Sequence, residues 1–185
     1  MTETDSSYAL LIIDMINDLE FESGSRLFPF AYHAAKNISL LKTRLKENGV
    51  PIIYVNDNYG RWQSDFPSIV EYFLENEVRG KPIIELIKPN DDDYFVLKPK
   101  FSGFFATPLE LLLSHLQVNT LILTGVAGNM CVQFTANDAY MRDFKLIIPP
   151  DCIASVTKEA NDKAINIMDE VIKADIRFAK DILSP

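Results

Sequence analysis

The chain has 185 residues, 48% of them apolar and 24% charged, which are the proportions of a globular protein long enough to bury a core without disulfide staples. Its 18 Lys and Arg against 26 Asp and Glu give a net charge of -8, a field that repels phosphate backbones and anionic lipid, so nucleic-acid and membrane partners are disfavoured. Two cysteines are too few for a secreted disulfide framework, and the residues before the first apolar run are acidic, which argues against a signal peptide; a cytoplasmic setting is expected.

No repeat or low-complexity tract interrupts the chain, and residues 1–185 read as one domain. Residues 8–14 (YALLIID) form a continuous aliphatic run closed by a carboxylate, the pattern of a strand buried on both faces of a parallel sheet. Residues 30–48 carry apolar side chains at helical spacing (Ala34, Ile38, Leu41, Leu45), with Pro29 at the entrance and Gly49 past the end. Residues 51–56 (PIIYVN) are a second strand, followed by a polar and aromatic loop over 57–66. Residues 68–88 predict one or two short helices interrupted at Pro82. A third strand over 94–98 (YFVLK) precedes a helix over 108–116, entered through a capping box, Thr107-Pro108-Leu109-Glu110. A fourth strand follows at 120–126 (TLILTGV), then a helix over 129–142, a fifth strand over 145–149, a long helix over 157–173 and an edge strand over 174–178.

This alternation predicts an α/β fold, a three-layer α/β/α sandwich around a mostly parallel sheet with right-handed crossovers. Ligands in such sheets sit beyond the carboxyl ends of the strands. There the sequence places Asp14, Asn56-Asp57, Lys98, and Gly125 with Cys131. Cys131 falls about one turn into its helix, where backbone N–H groups and the helix dipole should lower a thiol pKa. Taken singly, Cys131 also reads as a small buried hydrophobe, Asp14 as a turn carboxylate and Lys98 as a solvated strand end. Together they form a base, a counter-charge and a nucleophile able to attack a carbonyl carbon. Cys152 reads as packing, and His33 and His115 as surface or satisfied core residues. No HxxxH or CxxC spacing suggests a metal site, and the GVAGN turn lacks the residues of a phosphate loop.

The segments at 10–19 (LLIIDMINDL), 97–113 (LKPKFSGFFATPLELLL), 123–144 (LTGVAGNMCVQFTANDAYMRDF) and 149–155 (PPDCIAS) resemble the isochorismatase-like cysteine hydrolase superfamily, which includes nicotinamidases and N-carbamoylsarcosine amidohydrolase. The resemblance implies Asp14 as general base, Lys98 as active-site lysine and Cys131 as nucleophile. It also implies a cis peptide at Val126-Ala127 and an oxyanion hole from the N–H groups of Ala127 and Cys131. Ser102 and Phe104 would support the lysine and line the substrate pocket, and Thr135 would brace the site. Relatives are commonly homodimers or homotetramers.

Two departures narrow the reading. Nicotinamidases carry an Asp-x-His pattern and a later His that bind a divalent metal, where this chain has Asp57-Asn58-Tyr59-Gly60-Arg61-Trp62; no metal and no cofactor are expected. Isochorismatases proper hydrolyse a vinyl ether and lack the nucleophilic cysteine, which this chain keeps. Gly128 stands where many members have a threonine. The expectation is a metal-independent cysteine amidohydrolase acting on a small carboxamide or ureido compound through a Cys131 thioester. Arg61 and Trp62 would bind a small planar carboxylate-bearing substrate at the mouth. The alternatives are a vinyl-ether hydrolase and a catalytically silent binding protein on the same fold. A phosphorylated receiver domain fits less well, since Asp14 has no adjacent acidic partner.

Overall fold

The computed structural model describes residues 7–60 and 65–182. In chain order the elements are β1 (Tyr8–Ile13), α1 (Gly24–Glu47), β2 (Ile52–Asp57), α2 (Phe66–Glu75), α3 (Lys81–Leu86), β3 (Tyr94–Lys98), α4 (Leu109–His115) and β4 (Thr120–Val126). A π-helical turn (Gly128–Val132) then runs into α5 (Gln133–Tyr140), followed by β5 (Lys145–Ile147), β6 (Ile153–Ala154) and α6 (Lys158–Glu170). The described strands pair in parallel in the order β3-β2-β1-β4-β5, and β6 pairs with the end of β4 beyond β5.

The period-2 geometry of a strand sorts its side chains between two cores. On one face Leu10, Ile12, Ile52 and Tyr54 meet Leu27, Ile38 and Leu41 of α1, Phe66 and Phe73 of α2, and Ile83 and Ile84 of α3. On the other, Ala9, Leu11, Ile13, Ile53 and Leu123 meet Leu109 and Leu113 of α4, Ala136 and Ala139 of α5, and Ala164 and Met168 of α6. These are the three layers that the strand and helix alternation predicts. Because both faces of the sheet are covered, β1 is apolar along its whole length and β4 is buried along its whole length.

Several boundaries differ from the sequence pattern. Helix α1 begins at Gly24, so Pro29 lies inside it, because Leu27 continues the buried stripe upstream of the proline. Its other end is as expected: Gly49 has φ +73°, and the Val50 and Gly49 N–H groups return to the Leu45 and Lys46 carbonyls, a Schellman closure. The capping box at α4 does not close as predicted. Thr107 Oγ1 accepts from the Leu109 N–H at 3.3 Å, while Glu110 is drawn to Arg142 Nε at 2.9 Å. Strand β5 stops at Ile147, before the prolines, and a 3₁₀ turn (Pro150–Cys152) separates it from β6, a pairing too short for periodicity to reveal. The predicted edge strand at 174–178 reduces to one parallel bridge between Ile147 and Asp175. Among the described residues, no helix is long and apolar enough to cross a membrane.

Candidate active site

The strand order reverses direction between β1 and β4, and the chain ends of these neighbours open a crevice at their carboxyl edge. Asp14 leaves β1 with φ +51°, a left-handed conformation that Asp tolerates better than most residues. Beside it, Gly125, the penultimate residue of β4, is in register with Ile13 at φ +113°. A Cβ there would lie 2.1 Å from the Ile13 carbonyl oxygen, so only glycine lets the two strand ends come this close. The Val126-Ala127 peptide is cis, and the Ala127 carbonyl accepts from the N–H groups of Met130 and Val132. The second of these is the widened spacing of a π turn, which places Cys131 on an irregular helix start.

Lys98 ends β3 in register with Asp57 of β2. Its Nζ lies 2.7 Å from Asp14 Oδ2 and 3.6 Å from Cys131 Sγ, and donates to the Lys100 carbonyl at 3.1 Å. Asp14 Oδ1 accepts the Asp57 N–H at 2.9 Å, and Asp14 and the Cys131 thiol lie close enough to shift each other's pKa. Asp14 is 7% exposed and Lys98 1%. Burial raises the Asp14 pKa, with Lys98 pulling against it. For Lys98 burial works downward, but the charges of Asp14 and Cys131 outweigh it and the ammonium is held above its ordinary range. The Cys131 thiol does not follow the expectation from the helix dipole. Burial and the neighbouring Asp14 carboxylate push it up to about 12, against the pull of Lys98. Burial thus holds the proton on the Cys131 thiol, which faces Asp14 and the charged Lys98.

The surrounding residues divide between the site and its frame. Thr135 Oγ1 donates to the Cys131 carbonyl at 2.7 Å and accepts the Gly103 N–H at 3.0 Å, joining the cysteine turn to the loop after Lys98. Ser102 and Phe104 are placed differently from the expected pocket lining. The Ser102 hydroxyl donates to Asp138 Oδ2 and accepts the Phe104 N–H, and the Phe104 ring is buried against Phe144 and beneath the Arg142 guanidinium. They pin the 102–104 loop to the end of α5 and the residues just past it, while the Lys100 carbonyl supports the lysine. Cys152 is fully buried, and its thiol is pushed up by burial; His33 and His115 are exposed on α1 and α4. Arg61 and Trp62 lie outside the described residues. Among the described residues, no group of three or more His, Cys, Asp and Glu side chains is placed to hold a metal ion.

Sequence reasoning singled out Asn56 only as a polar strand end. The structure gives it a bridge: its amide accepts the Ile16 N–H at 3.2 Å and donates to the Ile16 carbonyl at 2.8 Å. The Tyr59 hydroxyl donates to that same carbonyl at 2.6 Å. The loop after β1 is thus tied at Ile16, two residues past Asp14, to the end of β2 and to the loop that follows it. A buried amide side chain closing an aliphatic strand was the available signal, since such a group must find partners.

The chain's residues 8–176 match the family model described as Isochorismatase domain. It is 48% identical over 175 residues to the uncharacterized isochorismatase family protein YaaI of Bacillus subtilis (strain 168), covering 95% of this chain and 96% of that one. The ureidoacrylate amidohydrolase RutB of Methylorubrum extorquens is 34% identical over 99 residues, 54% of this chain and 38% of that protein. Among solved structures, the nicotinamidase PncA of Bacillus subtilis superposes with a TM-score of 0.71 at 27% identity, covering 92% of this chain and 98% of that one.

Proposed function

The chain belongs to the isochorismatase family, and from that premise we propose that it is a metal-independent cysteine amidohydrolase that cleaves a C–N bond of a small carboxamide or ureido compound. The observation that carries the reading is the meeting at one buried ammonium, Lys98 Nζ, of the Asp14 carboxylate at 2.7 Å and the Cys131 sulfur at 3.6 Å. Similarity to an amidohydrolase of a ureido acid and to a nicotinamidase supports the bond type.

Asp14 takes the thiol proton as Cys131 Sγ adds to the carbonyl carbon. Lys98 keeps its charge throughout and offsets the negative charge shared by carboxylate and sulfur. The oxyanion is received by the backbone N–H groups of Ala127 and Cys131. Collapse of the tetrahedral adduct breaks the C–N bond, and protonated Asp14 returns its proton to the leaving ammonia or amine. A water then loses a proton to Asp14 and adds to the thioester, and the thiol leaves as the acid is released. Net consumption is one amide and one water. Arg61 pairs with a substrate carboxylate and Trp62 offers a flat wall, a role assigned from their residue types in the loop after β2.

Ammonia release across a panel of small amides and ureido acids tests the reading, with intact-mass detection of an acyl adduct on Cys131. Turnover in the wild type and none in Cys131→Ala is expected; ammonia release persisting in that variant overturns the thiolate mechanism. Chelation should leave the rate unchanged, and a loss restored by zinc or iron would overturn metal independence.

A further inference from the structure

The turn that carries Cys131 is held from behind by residues that the reaction scheme does not use. Gly128 is buried, and a Cβ on it would lie 2.3 Å from Asn161 Oδ1 and 3.1 Å from Ser155 Oγ. That amide oxygen is a fixed obstacle, because it accepts the Ser155 hydroxyl at 3.0 Å, while the Asn161 amide nitrogen reaches the Ile153 carbonyl at 3.5 Å. Ser155 is 1% exposed, and its Oγ in turn accepts the backbone N–H of Asn129 at 3.2 Å. Asn129 stands at the open end of the π turn, where the helix itself provides no acceptor for the first N–H groups. Ser155 directly follows β6, whose Ile153 and Ala154 are paired with Gly125 and Val126. One continuous strip, from β6 through Ser155 to Asn161 of α6, therefore clasps the chain from Gly125 to Asn129.

We propose that Ser155 and Asn161 are positioning residues for Cys131, and that glycine at 128 and asparagine at 161 are two halves of one device. The inference rests on Cys131 being the nucleophile. Asn161 occupies the space above Gly128 and orients the Ser155 hydroxyl, and Ser155 fixes the Asn129 N–H two residues before the sulfur. The sulfur in turn contacts Lys98 at 3.6 Å, so a small rotation of the turn changes its distance to both charged partners. A side chain at 128 displaces Asn161 and releases Ser155; removing Asn161 makes room for that side chain.

The test uses iodoacetamide, itself a small carboxamide, with modification at Cys131 measured by peptide mass mapping as a function of pH. Gly128→Thr is expected to slow Cys131 modification by about tenfold, the scale of one hydrogen bond's net worth, and to displace its pH profile. Asn161→Ala should slow it by a similar factor, and Gly128→Thr/Asn161→Ala should be no slower than either single variant, because both changes remove the same support and coupled neighbours do not add. Ser155→Ala adds no volume and should displace the pH profile while melting as a cooperative unit. A double variant slowed by the product of the two single effects, a wild-type rate in Asn161→Ala, or a wild-type profile in Ser155→Ala, overturns the proposal. Should Gly128→Thr fail to fold, folding regained in the double variant supports the collision, and Ser155→Ala alone then decides the positioning role. Ammonia release surviving in Cys131→Ala defeats the nucleophile assignment separately, because the alkylation rates still report how the turn is held.

Discussion

Lys98 keeps a charge at a place where burial disfavours it, and it does so through Asp14, the carboxylate in salt-bridge contact with it at 2.7 Å. Removing one member of a buried pair costs more than the pair contributes, because the other charge is left without compensation. Lys98→Ala is thus expected to lose about 3 to 5 kcal/mol of stability as well as turnover, read by thermal melting and ammonia release. Asp14→Asn keeps the shape but has no basic oxygen for the thiol proton, and should cost about 10²- to 10⁴-fold in rate. Its pH profile is the sharper check. Asp14 serves as base only when ionised, and burial raises its pKa, so the wild-type rate should climb with pH at values above the ordinary carboxylate range. That acid limb should vanish in Asp14→Asn. Cys152→Ser should retain turnover, since Cys152 lies in the core on the α1 side of the sheet, the side opposite to that packed by Cys131.

At the scale of elements, the parallel strands were legible because a strand buried on both faces is a largely apolar run, as in residues 8–13 and 120–126. The edge where Asp14 and Lys98 meet was legible for a related reason: both are charged residues closing strand runs, and Gly125 is the conformationally special residue next to the end of β4. What periodicity could not give was the contact between elements distant in sequence. The lock of Asn56 on Ile16 and the clasp of Asn161 on Gly128 join residues whose local patterns are independent. The shift of Ser102 and Phe104 into the frame has the same origin, because their partners, Asp138 and Phe144, lie a helix away. The Asn56 lock yields its own prediction. Asn56→Ala leaves the buried Ile16 N–H without its acceptor, a cost of about 1 to 3 kcal/mol. Asp14, two residues before Ile16, loses one wall of its support, so kcat should fall more than KM rises. A variant that melts lower with unchanged kcat would assign Asn56 to the fold alone.

The charge balance of the whole molecule sets how the site reports on stability. With 18 basic and 26 acidic groups the net charge is -8 at neutral pH, and every further ionisation of an acid adds to self-repulsion. The Cys131 thiol is one such acid, held at about 12 in the fold against an ordinary value of 9.0. Between those values the unfolded chain gives up the proton while the folded chain keeps it. The folded state then binds more protons than the unfolded one, so stability falls as pH rises from about 9. Lys98 acts in the same sense. Its folded pKa lies above 10.5, so its stabilising contribution is complete below that value and is lost as pH rises through the folded pKa. Cys131→Ala removes the first of these two contributions and leaves the second. Relative to wild type, the variant should gain about 1 kcal/mol between neutral pH and about pH 10, read as the difference between denaturant midpoints at the two values. Cys131→Ser is the companion measurement, because a hydroxyl fills much of the same space but does not ionise in this range, and it should show the same gain. An identical pH dependence in all three proteins would mean that the thiol ionises in the fold as it does in the open chain, and that Asp14 does not oppose its charge.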